Sequence, residues 1–224
     1  MPTLPNRIFH IADAANYSSI VREGLLSTAA LRQARRFDPD LDRQVRDYRP
    51  TGVVLPDSGY IRDQSPMPPA ALAPCLDAGL APQDWYDLVN QGIYFWADPK
   101  RVDRHLDALR GRPQVVLAID APALLRRYGE VAFVTAFNVG NARRRPAPRG
   151  TRSFVPLRSW QQDGWRAEAL PGGPVRPSRH PPAEIVIRAA IPDIAAYVAD
   201  TRHLPARDAE GSRPASGPPG GRWG

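Results

Sequence analysis

Cysteine occurs once in the 224 residues, at Cys75. A single thiol excludes an internal disulfide framework and a cysteine-rich zinc site, and Ala73, Pro74 and Leu76 around it mark a packed side chain rather than a nucleophile. Lysine is as scarce: Lys100 stands alone, so 29 of the 30 basic residues are arginine. No apolar run approaches the roughly 20 residues that cross a bilayer, and the start MPTLPNRIFHIAD lacks the charged head and apolar centre of a signal peptide. These absences predict a cytoplasmic protein with no membrane partner. The phosphate-cradling GxxxxGKS/T loop, a GxGxxG turn after a strand and a GxSxG nucleophile elbow are all missing. His10, His105, His180 and His203 are scattered without ligand spacing, so no metal is expected.

What is present suits a globular chain, with 42% hydrophobic and 24% charged residues. The length predicts one domain over residues 1–200, followed by a disordered Pro/Gly-rich tail over 201–224 with almost nothing to bury. The net charge of +7 attracts polyphosphate. A GC-rich genome produces the same arginine and proline bias, so the placement of the arginines is more informative than their number.

Arg7–Ile11 reads as a strand that delivers His10, followed by a short helix that Asp13 or Asn16 caps and Gly24 ends. Ser27 caps a second helix over 28–36, and 37–50 reads as a loop or irregular helix. TGVVLPDSGYIRDQ predicts extended structure around a turn at Pro56–Gly59. Prolines open helices over 69–78 and 82–91. Residues 93–97 form a strand with Tyr94 and Trp96 on one face, and Asp98-Pro99 starts a helix carrying Val102, Leu106 and Leu109. Further strands are expected at 114–119, 131–137, 152–155 and 184–187, with a helix near 122–128. Helices in the first half and strands in the second predict an α+β fold with an antiparallel or mixed sheet.

Three stretches then stand out: "IFHIADAANYSSIVREGLLS", "IYFWADP" and "AEIVIRAAIPDI". In this order they resemble the ADP-ribosyltransferase-like fold with its split sheets, and within it DarT-type DNA ADP-ribosyltransferase toxins and a related uncharacterised bacterial family, over residues 6–199. The resemblance implies NAD as co-substrate and a mono-ADP-ribosyltransferase. Nicotinamide leaves, an acceptor attacks the ribose C1 atom, and the transition state is oxocarbenium-like. It also implies a toxin or phage-defence role with a neutralising antitoxin protein as partner. Glu184 would be the catalytic carboxylate, and strand alternation turns it away from Ala183, Ile185 and Ile187. A glutamate on a solvated strand edge is the alternative.

The same resemblance puts His10 on a ribose hydroxyl and Asn16 beside the dinucleotide, with Tyr94 and Trp96 against the nicotinamide ring. Arg62 in "YIRDQSP" would be the clamp or catalytic arginine. Without it, His10 reads as a structural histidine, Asn16 as a helix cap and the aromatics as core. Independently of any family, Arg143, Arg144, Arg145, Arg149 and Arg152 occur near Trp160 and Trp165, a mixture that suits a phosphate backbone with unstacked bases. A solvated basic loop fits the same residues. Three functions remain in view: transfer to nucleic acid, a catalytically silent nucleic-acid-binding domain of the same fold, and an NAD glycohydrolase.

Overall fold

The computed structural model describes residues 3–109, 111–143, 147–170 and 173–206. Strand β1 (Arg7–Asp13) runs through a 3-10 turn into α1 (Tyr17–Glu23), then α2 (Thr28–Arg35) and α3 (Pro39–Arg46). Two short strands, β2 (Val53–Val54) and β3 (Tyr60–Ile61), precede α4 (Pro69–Leu72) and α5 (Pro82–Asn90). Next come β4 (Ile93–Trp96), α6 (Pro99–Ala108), β5 (Gln114–Asp120), α7 (Ala121–Tyr128) and β6 (Ala132–Thr135). The chain continues through β7 (Val155–Pro156), α8 (Leu157–Asp163), β8 (Glu184–Ile187) and β9 (Val198–Leu204). No helix among the described residues is long and apolar enough to cross a membrane.

The architecture is α+β. Seven strands form one sheet in the order β7-β6-β8-β4-β1-β5-β9, with every pairing between them antiparallel. The mixed alternative therefore does not hold. β2 and β3 form a separate two-stranded ribbon. Apolar residues at alternate positions of the large sheet explain its two covered faces. Ile8, Ile93, Phe95, Leu117, Ile185 and Ile187 join one core with Ile20, Leu124 and Trp160 from the helices. Phe9, Ile11 and Val116 of the other face pack with Val102 of α6, while Val186 joins Trp85, Tyr86 and Leu72.

The sheet is nearly severed at its centre. β1 pairs with β5 along all seven residues, but with β4 it shares one registered pair, Phe9 with Trp96. Beyond that pair the His10 ring replaces the ladder, its Nδ1 lying 2.9 Å from the Tyr94 carbonyl oxygen.

Local signals explain most helix ends. Asp13 accepts from the Ala15 amide, Ser27 from Ala30, and Asp98 from Lys100. Asn16 makes no capping bond. The stretch 37–50 contains a regular helix, α3, started by Asp38 and Pro39 and buried only at Val45. The segment after Val155 continues into α8 and a 3-10 turn, and the chain beyond residue 200 is not all tail, because β9 reaches Leu204. Residues 207–224 lie outside the described residues.

Gly24 ends α1 at φ +81°, where a Cβ would stand 2.2 Å from the Ile191 carbonyl oxygen. That approach lets Leu25 and Ile191 exchange main-chain hydrogen bonds at 3.0 and 2.9 Å. Gly24→Ala is expected to lower stability by about 3 kcal/mol or more, because backbone strain and overlap with main chain combine. Urea unfolding checks this; a change below about 1 kcal/mol would mean that the bridge relaxes freely.

Candidate functional site

A cavity of about 540 Å³ opens where β1 and β4 part. Its walls come from β1, α1, α2, the β2–β3 ribbon, the ends of α5 and α6, β4, the 138–143 loop and the first residue of β8. His10, Asn16, Arg62, Tyr94, Trp96, Arg143 and Glu184 all line it.

Glu184 stands opposite Trp96 on one side and Thr135 on the other. It is only 4% exposed, and its Oε2 accepts the Thr135 hydroxyl at 2.9 Å and the Val139 amide at 3.2 Å. Burial pushes its pKa up to about 7, against the smaller opposing effects of the two hydrogen bonds and of Arg101 and Arg149. Both donors serve the same oxygen, Oε2, and the residue lines the cavity.

His10 is held neutral: burial, with a smaller contribution from Arg62, lowers its pKa to about 4. The neutral ring donates from Nδ1 to the Tyr94 carbonyl oxygen, so Nε2 is an acceptor. The residue lies in the middle of β1 rather than at its end.

Arg62 reaches the Gln114 side-chain oxygen at 2.9 Å and His105 Nε2 at 3.0 Å. Burial, followed by the Arg62 charge, lowers the His105 pKa to about 4, so its ring accepts as a neutral group. The Arg62 guanidinium thus bonds two uncharged acceptors, and burial pulls its own pKa down against the smaller opposing attraction of Asp13 and Asp63. A half-buried cation whose side-chain hydrogen bonds go to neutral groups retains capacity for an anion.

Tyr94 donates its hydroxyl to the Val89 carbonyl at 3.0 Å, which fixes the ring, and Trp96 packs against His105 with centroids 5.4 Å apart. Gly92 makes room for Tyr94, since a Cβ there would stand 2.9 Å from the ring. Asn16 spends both ends of its amide on one residue: Nδ2 donates to the Tyr60 carbonyl and Oδ1 accepts the Tyr60 amide, each at 2.8 Å. It fastens β3, two residues ahead of Arg62, rather than capping α1.

Residues 6–198, most of the chain, match a family described as a family of unknown function, DUF7002. The chain belongs to that family. No curated protein matches it.

The basic and aromatic segment of this DUF7002 protein does not form one surface. Arg149 is 1% exposed and donates to the Val139 carbonyl at 2.7 Å and to that of Asn141. Arg152 is paired with Asp77. Trp160 and Trp165 are 1% exposed, their rings edge to face inside the main core. These four therefore act within the fold and are corrected from nucleic-acid contacts to structural residues. Arg143 is exposed at the cavity, and Arg144 and Arg145 lie outside the described residues.

Several residues in or directly behind the wall of the DUF7002 cavity carry no sequence signal strong enough to select them: His105 and Arg49 line it, while Gln114 and Thr135 hold lining residues from behind. Gln114 is a lone polar residue before the apolar run VVLAI, and His105 lies beside Leu106 on a helix. Thr135 becomes visible only through its register opposite Glu184. Arg49 is 5% exposed and bonds the Arg62 carbonyl at 3.2 Å. No group of three or more metal-binding side chains is found among the described residues.

Proposed function

We propose that the protein is an NAD-dependent mono-ADP-ribosyltransferase with an ADP-ribosyltransferase-like fold. The observation that carries the reading is that His10, Arg62, Tyr94 and Glu184, drawn from four separate segments, line one cavity at the break in the sheet. Each offers what one part of the dinucleotide requires. The neutral His10 Nε2 accepts a ribose hydroxyl, and the fixed Tyr94 ring offers an apolar face to nicotinamide. Arg62 supplies positive charge to the diphosphate.

Glu184 supplies negative charge when its carboxyl is ionised, which stabilises the ribose as the bond to nicotinamide lengthens and C1 becomes cationic. An acceptor nucleophile then forms the new bond to C1, and the electron pair of the broken bond leaves with nicotinamide. Excluding bulk water from a buried carboxylate strengthens this interaction.

Nucleic acid is the acceptor class we favour, because Arg143 is exposed at the cavity and begins the run Arg143–Arg145. The protein is incubated with NAD labelled in its ADP-ribose part and separate pools of single-stranded DNA, duplex DNA, RNA and protein. Label on a nucleic-acid pool is expected. Replacing Arg143, Arg144 and Arg145 together by Gln should weaken that transfer and reduce the log–log salt slope by roughly one to three, because fewer counterions are displaced. Label on protein alone would replace the acceptor, free ADP-ribose alone would make the protein a glycohydrolase, and no consumption of NAD would overturn the activity.

A further inference from the structure

Arg149 is enclosed on every side, and among the described residues its hydrogen-bond partners include no carboxylate, only carbonyls and the Cys75 side chain. Its guanidinium lies 5.1 Å from the Phe137 ring centroid and 5.4 Å from that of Trp85, close enough for both π faces to compensate part of its lost hydration. The planar fork divides between two carbonyls of the loop, Val139 and Asn141. Its own main chain is fixed in turn: the Arg149 amide donates to the Cys75 carbonyl at 2.7 Å, and the Asp77 amide donates to the Arg149 carbonyl at 2.7 Å. Gly150 allows this approach, since a Cβ there would fall 1.8 Å from the Asp77 carboxylate.

The residue so clamped leads directly to the cavity. Val139 gives its carbonyl to Arg149 and its amide to Glu184, and two residues on, the other carbonyl bound by Arg149 belongs to Asn141. The far end of the loop is tied independently, by the Ala142 amide on the Pro66 carbonyl at 2.8 Å. Burying an arginine on main-chain carbonyls is costly, and an apolar side chain of similar size would fill the space between Phe137 and Trp85. What an apolar side chain could not do is hold two carbonyls of one loop in a fixed relation.

We propose that Arg149 is a positioning residue for Glu184, holding the 139–141 segment so that the Val139 amide stays on the carboxylate and fixes its orientation in the cavity. The importance of this for catalysis rests on Glu184 being the working carboxylate of the transferase, so the test reads Glu184 directly and needs no activity. The charged and titratable groups around Glu184 are Arg101 from α6, Tyr94 from β4 and Arg149 itself. Loss of the Val139 amide removes an effect that favours the ionised carboxylate, so the midpoint moves upward.

The experiment is an NMR titration of the full chain with labelled glutamate carboxyl carbons, in which Glu184→Gln identifies the Glu184 signal. In the unaltered protein the Val139 amide proton is expected to shift with the same midpoint as Glu184 and to be protected from exchange. In Arg149→Lys and Arg149→Met the Glu184 midpoint should rise by about one pH unit, and Val139 exchange should accelerate about tenfold or more. Lys retains the charge but cannot span both carbonyls, so its midpoint should rise as well, by slightly less than in Met, which also loses the small effect of the Arg149 charge. An Arg149→Lys midpoint equal to the unaltered one would overturn the proposal. So would a Val139 amide in the unaltered protein that does not titrate with Glu184, an arm that stands even if neither variant folds. A failed NAD assay with these titrations as expected would overturn the transferase reading and leave the positioning role intact.

Discussion

Glu184→Gln is expected to lose about 100-fold or more of NAD turnover while becoming more stable than the unaltered protein above pH 7. The two effects share one cause. The amide keeps an oxygen for the Thr135 hydroxyl and the Val139 amide, yet it brings no negative charge to the developing ribose cation. Since the missing charge acts chiefly in the transition state, kcat should fall more than NAD affinity.

For stability the sign follows from the proton. The buried carboxyl is raised from 4.5 to about 7, so the folded protein holds its proton more tightly than the unfolded chain does. Stability therefore falls as pH rises from about 4.5 to about 7 and is insensitive to this group outside that window. Gln imitates the protonated acid at every pH. Its advantage should be absent below pH 4.5 and reach about 3 kcal/mol above pH 7. Nicotinamide release measures the first effect, and urea unfolding at pH 5 and 8 the second. Near-normal turnover would remove Glu184 from catalysis, and an equal stability difference at both pH values would show that its proton is not the cause.

Arg62→Gln should lower kcat/KM for NAD by about 100-fold, the loss expected when a desolvated charge-assisted contact to phosphate is removed. Nicotinamide riboside, which has no phosphate, provides the contrast. Its cleavage should change little, so the preference for NAD over the riboside should collapse. Because the Arg62 charge also holds the His105 proton off, the titration of His105 should move upward in the same variant. Equal losses on both substrates would assign Arg62 to the chemistry at C1 or to the fold, and an unmoved His105 would contradict its placement beside Arg62.

The parts of the site that could be read in the sequence are those in which one short segment carries the signal. IYFW alternates, so Tyr94 and Trp96 share a face and Ile93 and Phe95 enter the core. Glu184 heads an otherwise apolar strand, and the structure puts it in the cavity while Ile185 and Ile187 take the core. Gly24 marks a helix end whose positive φ only glycine adopts easily. What escaped depends on partners distant in sequence. Arg149 looks like one more surface arginine because the carbonyls and rings that receive it come from the 137–141 loop and from Trp85. Trp160 and Trp165 read as base-stacking groups beside a basic run, and the helix that carries the first is too short to show a full apolar stripe. Asn16 suits a cap equally well in sequence, and only the ribbon folded over it decides for Tyr60.

The last strand governs how the chain can be shortened. The family match ends at residue 198, whereas β9 covers β5 from Val198 to Leu204 through six registered pairs. The β5 residues 114–119 are buried. A fragment cut at residue 198 would leave this strand as an unpaired apolar edge, open to strands of other copies. Self-association of such a fragment would be a property of the cut, removed by restoring residues 199–204.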